Sequence, residues 1–443
     1  MDKAIHHLDG NGKMTTQKFY INGNWVNPCN DEKIDVINPA TEEAVAQIKL
    51  GSTEDVDLAV NAARKAFTSF SKTTSKERVD LLGEIRNIYK KRFNDVAHAI
   101  SIEMGAPINL ARGAQALVGL SHLKTAMRVL EEKKFEYNFN NYIIREEPIG
   151  VCGLITPWNW PINQIVSKLA PCIASGCTAV LKPSEIAPLS AIVIAEIIHE
   201  AGAPAGIFNM IHGYGPIVGE AMSRHKDIDM MSFTGSTRGG ISVAKVSADT
   251  VKRVSQELGG KSPNIIIDDE DFEKSIKRGV IGCMNNTGQS CNAPTRMLVP
   301  NHRHDEALSV AKTAAEELIV GDPQSEKTDI GPLVSQMQFD KVQNLLKSGI
   351  NSSATLVTGG LGKPPNREKG YYVRPTIFGN VENNMVIAKE EIFGPVLSII
   401  PFESEDEAVN IVNDTSYGLG NYLQTEDREK AHRVAKKLRS GCV

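Results

Sequence analysis

The sequence predicts an α/β protein with more than one parallel-sheet layer. Three observations carry that expectation. Beyond residue 150, short apolar runs alternate with helix-length amphipathic segments, the pattern of strands joined by right-handed crossovers. The runs stop at Pro or Gly punctuation, as in Thr156-Pro157, Lys182-Pro183 and Thr234-Gly235. The 443 residues also exceed what one hydrophobic core organises, so two or three domains are expected.

Taken in order, residues 19–25 centre on Asn22-Gly23 and predict a hairpin. Ser52-Thr53-Glu54-Asp55 opens a helix whose apolar stripe is Val56, Ala59, Val60, Ala63 and Phe67. Residues 115–137 carry another helical pattern, and 137–147 alternate like an extended hairpin arm. Strands are predicted at 150–155, 179–181, 207–211, 228–233 and 251–254. A helix from Leu189 presents Ile192, Ile194, Ile197 and Ile198 and closes at Gly202. A second series follows: strand 264–267, helix 272–285, strand 297–299, and helix 304–319 closed by Gly321. This layer is expected to form its own domain.

Composition narrows the function classes. A net charge of −4 argues against a phosphate-coating nucleic-acid surface. No apolar run approaches the ~18 residues that span a bilayer. Residues 1–14 lack the apolar stretch of a secretory signal, so a cytoplasmic location is expected. The seven cysteines form no CxxC pair, and no His pair stands at zinc-ligand spacing. No metal is expected, and most of the thiols read as reduced and buried.

Several motifs carry chemistry. In Gly288-Gln289-Ser290-Cys291 a glycine allows a tight turn that presents a thiol. Such a thiol becomes a nucleophile only beside a helix N-terminus, a cation or a base, and a buried structural cysteine is the alternative. Glu257 in Glu257-Leu258-Gly259-Gly260-Lys261 follows a strand, where a carboxylate often serves as ligand or base. The Gly260-Lys261-Ser262 triplet suggests a P-loop, but position 255 is Ser where that motif needs Gly. Gly213, Gly215 and Gly219 give GxGxxxG, one residue off the dinucleotide fingerprint. Phe233-Thr234-Gly235-Ser236-Thr237 ends a strand and opens a helix, a place for a pyrophosphate or a plain N-cap. Lys182 and Glu185 of Lys182-Pro183-Ser184-Glu185 suit ribose hydroxyls, or form a surface turn. In Thr156-Pro157-Trp158-Asn159-Trp160-Pro161 the prolines hold an Asn amide that could face an oxyanion.

Six motifs, TPWNWP, KPSE, FTGST, ELGGK, GQSC and Glu390-Glu391-Ile392-Phe393-Gly394-Pro395-Val396, occur in the order found in the aldehyde dehydrogenase superfamily, and the opening Ile21-Asn22-Gly23-Asn24-Trp25 and Asn38-Pro39-Ala40-Thr41 match its start. The chain resembles it from about residue 18 onward. The resemblance implies a Rossmann-type parallel-sheet NAD-binding domain (14–136 and 149–259), an α/β catalytic domain (260–443) and a small β oligomerisation arm (137–148). It implies Cys291 as nucleophile, Asn159 with the Cys291 N–H as oxyanion donors, Glu257 as the base that activates water, and Lys168 as a proton relay. Lys182 and Glu185 would bind the adenosine ribose, Gly235 and Ser236 the pyrophosphate, and Glu391 and Phe393 the nicotinamide end. Ile155, Trp158, Ser184, Gly215, Gly219, Phe233, Thr234 and Leu258 would complete the cofactor site. The cofactor would be NAD, with NADP possible, because Glu185 favours a free ribose 2′-hydroxyl. The substrate would be a small or medium aldehyde in a pocket shaped by Trp160, Gln164, Ser290 and Asn292. A carboxylate with the role of Glu257 can be the base if burial lifts its pKa, and a solvated loop carboxylate is the alternative.

Relative to the family, residues 1–13 are extra and expected to be disordered. The chain ends at Arg439-Ser440-Gly441-Cys442-Val443, before the family's last strand. A truncated, poorly active or non-catalytic relative is therefore the alternative reading. The full-length form would be a homodimer or homotetramer.

Overall fold

The structure is a computed structural model and describes residues 7–8 and 14–443. The expected disorder of residues 1–13 falls outside the described residues, apart from the His7–Leu8 strand, which pairs antiparallel with Met14–Thr16. Among the described residues the chain forms two compact units: those up to residue 38, 43–104 and 108–257, and residues 39–42, 105–107 and 258–443. The architecture is α/β throughout.

Among the described residues, the first unit holds a seven-stranded sheet. From one edge its strands are Arg253–Glu257, Met230–Thr234, Val151–Ile155, Thr178–Lys182, Phe208–Met210, Phe19–Ile21 and Asn24–Val26. The first five run parallel. The last two form the hairpin expected from Asn22-Gly23, and both turn residues have positive φ (52° and 76°), as a two-residue turn of this kind requires. The strand order reverses beside Val151–Ile155: the chain first builds outward through 178–182 and 208–210, then returns to add 230–234 and 253–257. Such a reversal opens a crevice at the carboxyl ends of the strands, where open α/β sheets bind ligands.

Helices cover this sheet. Thr53–Phe70 starts at the capping box of Ser52 and Asp55. It buries Val56, Ala59, Val60 and Ala63, while the last core position of the stripe falls to Phe70 and Phe67 is half-buried. Leu189–Glu200 is buried along nearly its whole length and ends at Gly202, whose φ of +68° is the left-handed stop. The 115–137 pattern resolves into a wide π-type turn at Ala111–Ala116, a helix at Leu117–Glu132, and the Glu136–Phe139 and Tyr142–Arg145 hairpin turning at Asn140. Val251, expected in a strand, instead takes a left-handed turn in solvent, and the strand begins at Arg253.

The second unit holds a six-stranded sheet among the described residues: Thr355–Thr358, Thr376–Gly379, Val396–Phe402, Arg296–Pro300, Pro263–Ile266 and Tyr422–Gln424. Apolar clusters fill its two faces, one around Leu298, Phe378 and Ile400, the other around Phe272, Val280 and Met297. The helix expected at 304–319 stops at Glu316. Its remaining residues leave the helix because Ile319 N–H donates to Asp329 and Val320 bridges to Ile330. Among the described residues no helix is long and apolar enough to cross a membrane. Four of the seven cysteines, Cys152, Cys172, Cys177 and Cys283, are buried, and all seven are free thiols.

Candidate active site

In the first unit the strand register gathers the motifs at one edge. Ile155 pairs with Lys182 and with Phe233, and Thr234 pairs with Glu257. The carboxyl ends of four strands therefore stand side by side. Lys182 is deeply buried, not part of a surface turn. Its ammonium donates to the carbonyls of Pro183 (2.9 Å) and Gly213 (2.7 Å) and pairs with Glu185 at 3.2 Å. Burial lowers its pKa, and the Glu185 charge opposes that. The bond to Gly213 ties the KPSE turn to the glycine segment, where Gly215–Gly219 winds as a wide turn and Gly219 faces Ile155 and Lys182. Ser184 accepts from the Ile186 N–H at 3.2 Å.

At the next strand end both readings of Ser236 meet. Its hydroxyl accepts from Gly239 N–H at 3.2 Å and caps the Thr237–Ala248 helix. The Gly235 N–H is already bonded to the Glu257 carbonyl at 3.1 Å. An anion there would meet the remaining N–H groups of the helix start, not these two groups. Thr234 keeps a buried hydroxyl without a hydrogen-bond partner among the described residues, as does Thr156.

Asn159 is buried at the entry of the Pro161–Ala174 helix, between half-buried Trp158 and Trp160. Pro161 occupies the first helical turn, where its missing N–H costs nothing. Lys168, on the same helix, donates to Ser232 Oγ at 3.1 Å. Burial pulls its ammonium down to about 8, against the opposing pull of the Glu257 charge. Glu257 is exposed, at the end of the strand that forms one edge of the sheet among the described residues.

The second unit brings three motifs together. Gly260 lies against the Cys291 carbonyl, with 2.3 Å between that oxygen and the position of an added Cβ. Gly259 faces the Glu391 carboxylate, which accepts from Gly260 N–H at 3.0 Å. Gly288 lies closer still to the Gly394 carbonyl, with 2.0 Å between that oxygen and the position of an added Cβ. The Cys291 loop is reached through three left-handed residues, Asn286, Thr287 and Gly288. It is pinned by Gln289, which accepts from Val334 N–H, and by Thr287, which donates to the Gly331 carbonyl. Cys291 itself is half-buried. Burial raises the Glu391 pKa, and the Gly260 bond opposes it. Leu258, half-buried, opens the unit just before the glycine pair.

Three participants carry no motif signal. Gln338 donates to the carbonyls of Ile392 and Phe393 and holds Phe393 at its left-handed φ of 61°. Tyr422 exchanges two 3.0 Å hydrogen bonds with Asn292, one with the side-chain amide and one with the backbone carbonyl. Ser232 receives Lys168. Each is brought beside a motif residue of its own unit only by the fold. Lys261, read in sequence within a failed P-loop, is instead a buried lysine pulled by burial to about 7.

Comparison with known proteins agrees with this arrangement. Residues 25–443 match the profile described as "Aldehyde dehydrogenase family". A 3-succinoylsemialdehyde-pyridine dehydrogenase of a Pseudomonas species is 51% identical over 428 residues, covering 96% of this chain and 90% of the relative. The crystal structure of an aldehyde dehydrogenase from Bartonella henselae superposes with a TM-score of 0.95 at 51% identity, covering 97% of this chain and 91% of that one. A cysteine-to-alanine variant of aldehyde dehydrogenase C from Pseudomonas syringae, solved with NAD+ and octanal, superposes with a TM-score of 0.96 at 49% identity, covering 99% and 90%. With the family profile spanning nearly the whole chain and the Gly260–Cys291 and Lys182–Gly213 contacts joining its motifs in space, the chain belongs to the aldehyde dehydrogenase family.

Proposed function

We propose that the protein oxidises a small or medium aldehyde to its carboxylic acid, with NAD as oxidant and Cys291 as nucleophile. The observation that carries this reading is the approach of Gly260 to the Cys291 carbonyl. It sets the half-buried thiol loop on the glycine pair that also holds Glu391.

The first unit's residues fit a dinucleotide. Thr234 offers a buried hydroxyl without a partner among the described residues, and Gly235 leaves a cradle where a Cβ would come within 2.7 Å of the Phe233 ring. Lys182 and Glu185 would hold the adenosine ribose. The helix start after Ser236 would take the pyrophosphate, and Glu391 and Phe393 would hold the nicotinamide ribose and ring. A carboxylate at Glu185 repels a 2′-phosphate, which favours NAD over NADP. When bound, NAD supplies the two-electron oxidation by accepting a hydride from the cysteine adduct.

The chain's own residues do the rest. The Cys291 thiolate adds to the aldehyde carbon, and the carbonyl pair moves onto oxygen. Asn159 and the Cys291 N–H donate to that oxyanion. After oxidation the acyl group is a thioester on the Cys291 sulfur. Glu257 takes a proton from water as the water oxygen attacks the acyl carbon. The C–S bond then breaks, returning the thiolate and releasing the acid. Lys168, with its ammonium near neutrality and under the Glu257 charge, passes the proton onward. Oxidation takes place in the cytoplasm, in keeping with seven free thiols. The hairpin arm exposes 72% of Tyr142 and 69% of Ile143, apolar surface that a second copy of the chain would cover.

NADH formation across a panel of aldehydes tests the reading. Cys291→Ala is expected to abolish it, and Glu257→Gln to leave a single burst without turnover. Full turnover by Cys291→Ala would overturn the mechanism.

A further inference from the structure

The first N–H groups of a helix have no acceptor within it. In the Leu189–Glu200 helix they cannot turn to water, since every residue from Leu189 to Ile198 is buried. Pro188, at the N-cap, has no side-chain acceptor to offer. The acceptor comes from a distant part of the chain. Glu103, on the Phe93–Met104 helix, is fully buried. Its carboxylate accepts from the Leu189 N–H and, at 3.1 Å, from the Ser190 N–H. A carboxylate at this end of a helix gains from both the charged hydrogen bonds and the helix dipole.

The bonds hold a position as well as a helix. Residues 183–188 join the Thr178–Lys182 strand to this helix and carry Ser184 and Glu185. Lys182 ties the strand end of that turn through the Pro183 and Gly213 carbonyls. Glu103 ties the helix end. Between these anchors the Ile186 N–H donates to Ser184 Oγ at 3.2 Å, and Ser184 and Ala187 are packed inside.

We propose that Glu103 is a positioning residue for cofactor binding: by holding the first N–H groups of the Leu189–Glu200 helix, it sets the 183–188 turn in the shape that receives the adenosine ribose. The inference rests on reading Lys182 and Glu185 as the ribose-binding pair. Glu103 acts through the turn, so it governs affinity more than the chemical step. The cost of burying its carboxyl, whose pKa is pushed up to about 7, fits a group retained for the bonds it makes.

Calorimetric titration with ADP-ribose, which carries the adenosine ribose and cannot be turned over, tests this on the full chain. The variants are Glu103→Gln and, for the underlying reading, Lys182→Ala. Glutamine keeps the size but turns an amide donor toward groups that are themselves donors. Glu103→Gln is expected to weaken ADP-ribose binding about tenfold, the loss of roughly one charged hydrogen bond. The KM for NAD should rise in parallel, while kcat at saturating NAD changes less than the affinity. Wild-type affinity in Glu103→Gln, with Lys182→Ala weakened, overturns the Glu103 inference alone. Wild-type affinity in both overturns the ribose reading and this inference with it. A drop confined to kcat also overturns it. If Glu103→Gln does not fold, Glu103→Asp, which keeps the charge but shortens the reach, is read by the same two quantities and the same outcomes.

Discussion

Gly260 presses on the backbone carbonyl of Cys291, so that a Cβ added at position 260 would stand 2.3 Å from that oxygen. Backbone has little room to yield, so Gly260→Ala must displace the thiol loop. Misplacing a nucleophile by about 1 Å costs on the order of a hundredfold in rate. Gly260→Ala is expected to lose about that factor in kcat/KM for any aldehyde the protein accepts, measured beside circular dichroism to establish that the fold persists. Near-wild-type turnover would show that the contact does not position the cysteine.

The proton relay proposed for Lys168 comes with a stability cost. Its ammonium is pulled from 10.5 to about 8 by burial. The unfolded chain binds the proton more tightly, so the cost is fully present below pH 8 and is relieved as pH rises from 8 toward 10.5. Lys168→Met is expected to raise the melting midpoint at pH 7 by roughly 2–4 °C. The same variant should slow thioester hydrolysis and remove any inflection near pH 8 from the kcat profile. A lower midpoint with an unchanged profile would count against both roles.

His212 sets a limit on the acid side. It is fully buried beside Phe19, and neither ring nitrogen has a hydrogen-bond partner among the described residues. Burial, then the Lys182 charge, depress its pKa from 6.5 to about 3. The unfolded state therefore binds a proton that the folded state refuses, and stability falls as pH drops from 6.5 toward 3. His212→Leu should flatten this part of the curve. Melting curves between pH 7.5 and 5 that run parallel for the two proteins would rule the histidine out.

The proposed preference for NAD rests on Glu185, whose carboxylate stands 3.2 Å from the Lys182 ammonium. Glu185→Ser removes the charge that a 2′-phosphate would meet. The NADP-to-NAD ratio of kcat/KM is expected to rise about tenfold, equivalent to ~1.4 kcal/mol of discrimination. An unchanged ratio would place the discrimination elsewhere.

The arm is tested by its exposed side chains. Tyr142→Ser with Ile143→Asp replaces its two most exposed apolar residues with polar ones. Sedimentation is expected to show a smaller species than the wild type at equal concentration. Equal sedimentation of the two would mean that the arm is not the association surface.

The ELGGK and GQSC motifs were legible in sequence as chemistry, but not as neighbours. Their glycines matter because backbone passes where a Cβ would stand, and that is a property of the packed chain. Whether Glu257 is solvated or enclosed was open in sequence; its strand lies at a sheet edge and it is exposed, a position that depends on strand order and not on local residues. The Ser236 alternatives, cap or anion site, were equally open in sequence. The structure occupies the hydroxyl with the cap and leaves other N–H groups of the helix start for an anion.

Periodicity, Pro and Gly punctuation and the six motifs determined the α/β class, several of the strands and helices, and the family, because each depends on residues close along the chain. Tertiary structure alone decided which groups meet. Lys168 and Ser232 are 64 residues apart, Glu103 and Ser190 87, and Asn292 and Tyr422 130. No local pattern encodes such pairs. Glu103 meets its donors because a buried carboxylate and buried helix N–H groups must pair, and in every case the partner is whatever the completed topology brings within reach.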